Sequence, residues 1–245
     1  MEELKTKIEF KFESCERVSA YPVIVVAAGS SSRMRGKDKQ LLSLGGVPVI
    51  IRTLIQLEKS RFISRIILVT RESELLRLQL LAGEYNISKL TDVVSGGTNR
   101  HESVCRGMER LGSDEKKVLI HDGARPLVDD FVIGNVASAL ETHRAVICGI
   151  PVADTVKRVD GGGNVIETVD RAGLYCVQTP QGVDAAAYRE LCERLPDAAA
   201  FTDDGGLFEA AGEKVYAVLG SRKNIKITVP EDIEFARLLL GGEEE

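Results

Sequence analysis

Several features that would assign this chain to a common class are missing from its sequence. No run of apolar residues approaches the roughly 18 that a membrane-spanning helix needs, and the first residues carry no apolar signal-peptide core. The five cysteines form no C-x-x-C pair and are odd in number, which predicts free thiols rather than a zinc site. The net charge of −5 excludes a broadly basic nucleic-acid-binding surface. We therefore expect a cytoplasmic protein with no membrane or nucleic-acid partner.

Two common nucleotide-binding signatures are also missing from the Gly-rich stretch near the N-terminus. Neither a closing Gly-Lys-Ser/Thr nor G-x-G-x-x-G is present there. Instead, the apolar residues 23–27, which suit a buried strand, lead into a loop of Gly and Ser carrying Arg33, Arg35, Lys37 and Lys39. Small residues let backbone N–H groups approach an anion, and cations neutralise it. The stretch predicts a phosphate-binding loop, with an ordinary strand-to-helix loop as the alternative.

From residue 21 onward the pattern predicts alternating strands and helices in a chain that is 44% apolar and 245 residues long. We expect strands at residues 23–27, 63–70, 90–94, 118–121, 145–150 and 215–219. We expect helices at residues 47–58, 72–84, 100–111, 129–143 and 185–195, and a last helix from Pro230. This order predicts an α/β fold, a single Rossmann-like domain whose mostly parallel sheet is flanked by helices.

Polar, Gly-containing stretches follow three of the predicted strands, at residues 28–39, 95–103 and 122–125. In open α/β sheets, ligands bind beyond the carboxyl ends of the strands. The coincidence of three such stretches at one edge is stronger evidence for a binding site than any one of them.

Residues 152–176 break the alternation and predict a protruding β-hairpin arm. Apolar and polar residues alternate on both sides of Gly161, Gly162 and Gly163. A lone hairpin is marginally stable in water, so we expect this arm to pack against a second subunit, with an exposed flap as the alternative. The expected organisation is an N-terminal extension (residues 1–20) without assigned chemistry, followed by one domain (residues 21–245) with the arm inserted.

The sequence also resembles a known family. A-A-G-S-S-S-R-M at 27–34, with K-Q at 39–40, resembles the signature loop of nucleotidyltransferases that join a nucleoside monophosphate to a sugar or polyol phosphate. More narrowly, it resembles the 2-C-methyl-D-erythritol 4-phosphate cytidylyltransferase family. Six further motifs follow in the family's order, over roughly residues 21–240. They are S-G-G-T-N-R-H-E-S (95–103), H-D-G-A-R-P (121–126), D-T-V-K-R with D-R (154–158 and 170–171), T-P-Q (179–181), T-D-D (202–204) and N-I-K-I-T (224–228).

For the nucleotide, the resemblance implies that Gly97 contacts the cytosine edge through its backbone and that Ser103 hydrogen-bonds to it. Without the resemblance, Ser103 could be a helix cap. Thr98 stands where many family members have an acid. Arg100 and His101 receive no role beyond that of exposed residues. The remaining implied residues are Arg33 and Lys39 as catalytic cations, and Ala27, Ala28 and Gly29, whose backbone groups line the ribose and base.

The third motif contributes Asp122, which ends a buried strand and can hold a ribose hydroxyl or a metal ion. Arg125 could pair with Asp122 or bind phosphate, and a purely structural Asp–Arg pair is the alternative. Gly123 is a mild departure from the family's D-A-A-R. His121 is expected to be a strand residue rather than a catalyst.

For the acceptor, the resemblance implies that Thr155 and Arg171 bind a methylerythritol phosphate, with Arg171 reaching into the partner subunit's site. Lys226 resembles a second catalytic lysine near the α-phosphate; otherwise it would be a solvated lysine in a short strand. Further acceptor-binding residues implied by the later motifs are Thr179, Thr202 and Asp203.

The implied reaction transfers CMP from CTP to 2-C-methyl-D-erythritol 4-phosphate. The products would be 4-diphosphocytidyl-2-C-methyl-D-erythritol and pyrophosphate, as a step of isoprenoid precursor biosynthesis. We expect Mg²⁺ as cofactor, held mainly by the CTP phosphates, and a homodimer formed through the arm. The alternatives are a ribitol 5-phosphate cytidylyltransferase, a sugar-1-phosphate nucleotidyltransferase that uses another base, and a non-catalytic nucleotide sensor on the same fold.

Overall fold

The computed structural model describes residues 18–29, 38–195 and 201–241. Its strands are β1 (Tyr21–Val26), β2 (Ser43–Leu44), β3 (Val47–Pro48), β4 (Ile63–Thr70), β5 (Leu90–Ser95), β6 (Lys117–Asp122), β7 (Ala145–Pro151), β8 (Val156–Val159), β9 (Val165–Val169), β10 (Tyr175–Asp184) and β11 (Tyr216–Leu219). Its helices are α1 (Val49–Lys59), α2 (Leu75–Glu84), α3 (Arg100–Met108), α4 (Asp130–Leu140), α5 (Ala185–Arg194), α6 (Asp204–Ala210) and α7 (Pro230–Gly241). Most of the expected N-terminal extension, residues 1–17, lies outside the described residues.

Seven strands form the central sheet in the order β11-β7-β10-β6-β1-β4-β5. Every neighbouring pair is parallel except the two that involve β10, which is antiparallel to both β6 and β7. The predicted α/β class with a mostly parallel sheet is confirmed. In the register, Val26 at the end of β1 pairs with Asp122 at the end of β6, so the carboxyl ends of these strands are level.

Helices cover both faces of the sheet, which explains the nearly continuous apolar strands. Val23 and Val25 of β1 belong to the core formed with α1, α2 and α4, whereas Ile24 belongs to the core formed with α3, α5 and α6. A third, smaller cluster joins α7 to the start of α1 through Ile227, Ile233 and Val49. None of the helices in the described ranges is long and apolar enough to span a bilayer.

Two longer elements, β10 and α6, were absent from the sequence-based prediction, as were the two-residue strands β2 and β3. Strand β10 contains Pro180, and a proline argues against a central strand because it cannot donate a ladder hydrogen bond. The structure accommodates Pro180 where the pairing of β10 with β7 is irregular, between Gln178 and Gly182. Helix α6 was missed because two glycines, which are poor helix formers, lie in its first turn.

Two predicted helices begin later than expected. Residues 47 and 48 are extended, as β3, because they pair with β2, so α1 begins at Val49 rather than at residue 47. The residues before α2, Glu72–Glu74, form a separate 3₁₀ turn. Segment 224–228, which contains Lys226, is irregular rather than a short strand.

Strands β8 and β9 pair with each other as an antiparallel hairpin, separate from the central sheet. Its apolar side chains are largely exposed, including Val159, Val165 and Ile166. The hairpin that the alternation predicted is therefore present, and it has little core of its own.

Candidate active site

A cavity of about 350 Å³ opens at the carboxyl ends of β1, β5 and β6. The loop after β1, the first turn of α3 and the segment after β11 form its walls. Its described lining residues include Ala28, Gly29, Lys39, Gly97, Arg100, Ser103, Asp122 and Lys226.

Glycines let the backbone of the loop after β5 pack closely against its neighbours. A Cβ at Gly96 would lie 2.5 Å from the Cβ of Ala28 and 2.8 Å from Oγ of Ser103, and a Cβ at Gly97 would collide with the side chain of Glu102. Larger residues would push this loop away from β1. The two glycines thus shape one wall of the cavity.

Ser103 is buried in the first turn of α3, but it is not the cap of that helix. The cap is Asn99, whose side chain accepts a hydrogen bond from the backbone N–H of Glu102 at 2.9 Å. Oγ of Ser103 accepts from the N–H of Gly97 at 3.2 Å and donates to the carbonyl of Asn99 at 2.8 Å. Ser103 therefore holds the glycine loop, and the helix-cap alternative for this residue is wrong.

Asp122, at the end of β6, is the carboxylate at the centre of the site. Its Oδ2 lies 2.8 Å from Nζ of Lys226 and 3.6 Å from Nε of Arg125, and its Oδ1 lies 3.5 Å from Nε of Arg100. Burial opposes ionisation of Asp122, but the charges of Lys226, Arg100 and Arg125 outweigh it and hold the pKa of this carboxyl well below its usual range. The carboxylate stays ionised and fixes three cations around it.

Arg100 was expected to be an exposed residue, and that expectation is wrong. Its guanidinium forms a bidentate pair with Asp204 of α6, with nitrogen–oxygen distances of 2.7 and 3.0 Å. The side chain of Asp204 is only 1% exposed. Burial of Arg100 opposes its charge, but Asp204 more than compensates and raises the pKa of the guanidinium. Arg100 therefore links α3 to α6 across the site.

A second cavity of about 360 Å³ adjoins the first and has Arg100, Asp122 and Lys226 in its lining too. These three residues form a wall common to both cavities. The acceptor-site residues that the sequence predicted and that line the second cavity are Arg125, Thr179, Thr202 and Asp203.

Buried amides position the segment that carries Lys226. Nε2 of Gln178 donates to the carbonyl of Ser221 at 2.9 Å, and Oε1 of Gln178 accepts from the N–H of Ser221 at 3.2 Å. Nδ2 of Asn224 donates to the carbonyl of Thr179 at 2.7 Å. This segment is irregular but fixed to β10, so the ammonium of Lys226 is held against Asp122.

Some residues predicted for the site lie elsewhere in the structure. Ala27 is buried beneath the cavity and donates its N–H to the carbonyl of Val69 at 2.7 Å. Thr155 and Arg171 are exposed on the arm, and neither lines either of the two cavities described above. Arg33 lies outside the described residues, as do Arg35 and Lys37.

His121 is a buried strand residue, as expected. Nδ1 lies 3.1 Å from Oγ1 of Thr179, and Nε2 lies 3.3 Å from the carbonyl oxygen of Arg125. Burial lowers the pKa of His121 to about 4, so the imidazole is neutral at pH 7.

Sequence reasoning missed Arg100, Asp204, Gln178 and Asn224 as parts of the site. A weak signal existed for Arg100, because it is the Arg of the motif S-G-G-T-N-R-H-E-S at 95–103, which resembles a family motif. Asp204 adjoins Asp203 in T-D-D, and only the unpredicted helix α6 shows that the second acid points inward.

A mostly parallel α/β sheet with glycine loops and a cluster of cations at its carboxyl edge is what an enzyme of the nucleotidyltransferase class requires, and the comparisons with known proteins place the chain in that class. Within that class, the chain belongs to the 2-C-methyl-D-erythritol 4-phosphate cytidylyltransferase family (IspD), whose model matches residues 21–242.

Individual relatives agree with this assignment. The chain is 41% identical over 227 residues to the 2-C-methyl-D-erythritol 4-phosphate cytidylyltransferase of Halalkalibacterium halodurans, covering 91% of this chain and 98% of that one. It is 39% identical over 224 residues to the enzyme of Geobacillus kaustophilus, covering 91% and 97%.

Solved structures of similar proteins share the fold. The 4-diphosphocytidyl-2C-methyl-D-erythritol synthase from Anaerococcus prevotii superposes with a TM-score of 0.80 at 32% identity, covering 91% of this chain and 96% of that one. The 2-C-methyl-D-erythritol 4-phosphate cytidylyltransferase from Thermus thermophilus gives a TM-score of 0.72 at 28% identity, covering 90% and 98%.

Proposed function

We propose that this enzyme transfers CMP from CTP to 2-C-methyl-D-erythritol 4-phosphate and releases pyrophosphate, as a step of isoprenoid precursor biosynthesis. The observation that carries the proposal is the common wall of the two cavities, formed by Arg100, Asp122 and Lys226. A nucleotide in the first cavity and a phosphorylated polyol in the second would meet at this wall. The wall carries the cations that phosphoryl transfer requires.

The first cavity suits the nucleotide. Backbone groups of residues 27–29 would line the ribose and base, and Gly97 would approach the cytosine edge, where a side chain would block contact. Ser103 already bonds to the N–H of Gly97, so it would position that edge or turn its hydroxyl to the base. Asp122 would accept a hydrogen bond from a ribose hydroxyl.

The acceptor needs no general base. A phosphate monoester has a second pKa of about 6 and is therefore mostly dianionic at pH 7. One of its oxygens would attack the α-phosphorus in line, forming a new P–O bond. The bond from that phosphorus to the pyrophosphate oxygen would break, and the electron pair would leave with pyrophosphate.

The cations would stabilise the charge that grows during transfer. Lys39 lies in the nucleotide cavity, and Lys226 lies in the wall between the cavities. Arg33 would add a third charge from the signature loop. The ion pair with Asp122 would keep Lys226 in place before the substrates bind, so little reorganisation is needed.

Mg²⁺ is the proposed cofactor, and the donor set of the cavity suits an ion held mainly by the triphosphate. Asp122 is the one carboxylate among the described residues that line the nucleotide cavity. Mg²⁺ in nucleotide sites is commonly bound by one or two carboxylates together with substrate phosphates. When bound, the ion would neutralise phosphate charge and orient the phosphate oxygens.

The arm would complete the acceptor site in a homodimer. Thr155 and Arg171 would bind the acceptor phosphate, with Arg171 serving the partner subunit's site. A planar guanidinium suits a phosphate, and exposed apolar residues on the arm, such as Val165 and Ile166, would be covered by the partner. Sedimentation of the chain with and without residues 152–176 tests this, and an unchanged monomer would refute it.

A cytoplasmic location is proposed from the cysteines. Cys105, Cys148, Cys176 and Cys192 are all free thiols in the described part of the chain. Free thiols are typical of a reducing compartment.

The deciding experiment measures metal-dependent pyrophosphate release from CTP, with methylerythritol phosphate and ribitol 5-phosphate compared side by side. We expect release with methylerythritol phosphate only. Preference for ribitol 5-phosphate would overturn the acceptor assignment and keep the nucleotide chemistry. No release with either acceptor, from a protein that binds CTP, would indicate a nucleotide sensor.

A further inference from the structure

Helices α3 and α5 bring together three side chains that the proposed reaction does not use. His101 and Cys105 lie one turn apart on α3, and Cys192 lies on α5. Sγ of Cys105 is 3.7 Å from Sγ of Cys192 and 3.6 Å from Nε2 of His101. One ligand atom from each of the three residues lies within 4.8 Å of the other two. All three side chains are partly accessible to solvent, which leaves an entry path.

These distances match the edges of a metal-centred tetrahedron. With Zn–S bonds of about 2.3 Å and Zn–N bonds of about 2.0 to 2.1 Å, a tetrahedral site has a sulfur–sulfur distance of about 3.8 Å and a sulfur–nitrogen distance of about 3.6 Å. Two of the three edges therefore already have the length that a zinc ion imposes.

The surroundings of His101 support a ligand role for Nε2. Nδ1 lies 3.3 Å from the hydroxyl of Tyr188, and that hydroxyl donates to Oδ1 of Asp204 at 3.1 Å. The hydroxyl of Tyr188 uses its hydrogen to donate to Asp204. Its oxygen is therefore left to accept a hydrogen bond from Nδ1–H of His101. The lone pair then lies on Nε2, which faces Cys105. Metal-bound histidines commonly have such a partner on the other ring nitrogen.

The charge balance also fits. On binding, each of the two thiols would release one proton to solvent, and the two thiolates would neutralise Zn²⁺. A neutral imidazole adds no charge, so the loaded site carries no net charge. This reduces the cost of holding the ion in the partly buried space between the two helices.

We propose that His101, Cys105 and Cys192 form a Zn²⁺-binding site with a fourth position open to water. The expectation of no zinc site rested on the absence of a C-x-x-C pair. Here the ligands come instead from one turn of α3 and from a second helix that is distant in sequence.

The site would tie α5 to the helix that forms a wall of the nucleotide cavity. Arg100 directly precedes His101, and Asp204 is bonded both to Arg100 and to the hydroxyl of Tyr188. Zinc binding would therefore restrain the network Tyr188–Asp204–Arg100 from outside the two cavities. This makes the site a stabilising centre rather than a reacting one.

The test uses the reduced full-length chain and Zn²⁺ itself. After equilibration with zinc and removal of loosely bound ion, we expect about one zinc per chain. Cys105→Ser and Cys192→Ser should each lose it, whereas Cys176→Ser, at an exposed cysteine of β10, should keep it. Zinc should raise the melting temperature of the wild type and of Cys176→Ser only. Circular dichroism establishes that each variant is folded.

A second measurement needs no variant. Zinc should slow alkylation of Cys105 and Cys192 in the wild type, read peptide by peptide by mass spectrometry, and leave Cys176 unaffected. With Co²⁺ instead, thiolate-to-metal charge-transfer absorption should appear. The proposal is overturned if the reduced protein retains no zinc, if both cysteine variants retain it, or if Cys105 and Cys192 form a disulfide and show no zinc protection when reduced.

Discussion

Two arginine–carboxylate pairs of similar length lie in very different surroundings. In the site, Arg100 meets Asp204 at 2.7 Å, with side chains 28% and 1% exposed. On the arm, Arg158 meets Glu167 at 2.6 Å, with side chains 63% and 51% exposed. The first pair links α3 to α6 around the cavities, and the second joins two strands of a hairpin that has little core.

The comparison teaches that the distance between the charged atoms does not by itself determine how much each ion pair contributes to stability. Water screens the exposed pair, and holding two long side chains together costs entropy, so such pairs contribute about 0 to 1 kcal/mol. Removing one partner of a buried pair leaves a charge without compensation. The cations at the common wall of the two cavities are thus held by contacts within one chain, whereas the ion pair of the arm lies on an exposed hairpin.

The largest expected effect follows from Arg100→Ala. Loss of the guanidinium leaves the buried Asp204 unpaired, so the free energy of unfolding should fall by about 3 to 5 kcal/mol. Urea unfolding measures this change. Arg158→Ala is the matched control and should change stability much less. Equal losses in the two variants would show that burial does not separate the two pairs.

The next effect concerns buried His121 and the pH dependence of the free energy of unfolding. Unfolded His121 binds a proton below about pH 6.5, whereas folded His121 stays neutral down to about pH 4. The unfolded state therefore binds more protons between these values, and stability falls as pH is lowered through the window, by about 3 kcal/mol in total.

His121→Gln should remove this part of the pH dependence. His143→Gln should retain it, since His143 lies outside the core and stacks on Tyr216 with ring centroids 4.0 Å apart. Urea unfolding at several pH values measures both variants. If the free energy of unfolding of His121→Gln depends on pH as it does in the wild type, this part of the pH dependence does not come from His121.

A third prediction tests the cations of the cavity. Lys226→Ala and Lys39→Ala should each lower kcat by about 10²-fold, as loss of a transition-state charge stabiliser does. Steady-state pyrophosphate release measures the rate. Lys223→Ala, three residues before Lys226 on the exposed side of the same segment, is the control and should stay near wild type. A near-wild-type rate in Lys226→Ala would remove that lysine from the proposed mechanism.

The smallest effect is expected from the arm. Arg171→Ala should raise the KM for the acceptor by about 10-fold, the cost of one hydrogen bond to a charged group, and should leave CTP binding intact. Arg158→Ala on the same arm is the control. Should CTP binding fail instead, the assignment of the arm to the acceptor is wrong.

Sequence periodicity predicted the regular part of the fold well. The strands β1, β4, β6 and β7 are largely buried, so their apolar runs are unmistakable, and the segments that follow β1, β5 and β6 carry the glycine-containing motifs. The reasoning failed at β10 and α6, where Pro180 and the pair Gly205–Gly206 contradict local propensity. Tertiary pairing overrides propensity at both places.

The individual site residues were harder to predict than the edge of the sheet on which they lie. Asp122 was found because it ends an apolar strand, and Lys226 because of a resemblance to a family motif. Arg100 was missed because its partner, Asp204, is 104 residues away in the chain. Nothing in the spacing of His101, Cys105 and Cys192 indicates that two helices place them side by side.

Strand β10 has a consequence for how the chain is made. It follows directly from the arm and lies between β6 and β7, so before it is synthesised these two strands have unpaired edges. A nascent chain that has left the ribosome only as far as the arm therefore exposes one edge of β6 and both edges of β7, because β11 is not yet made either. Unpaired strand edges are templates for aggregation. Strand β7 can join the four strands made before it only after the arm has been completed and β10 has been inserted between β7 and β6.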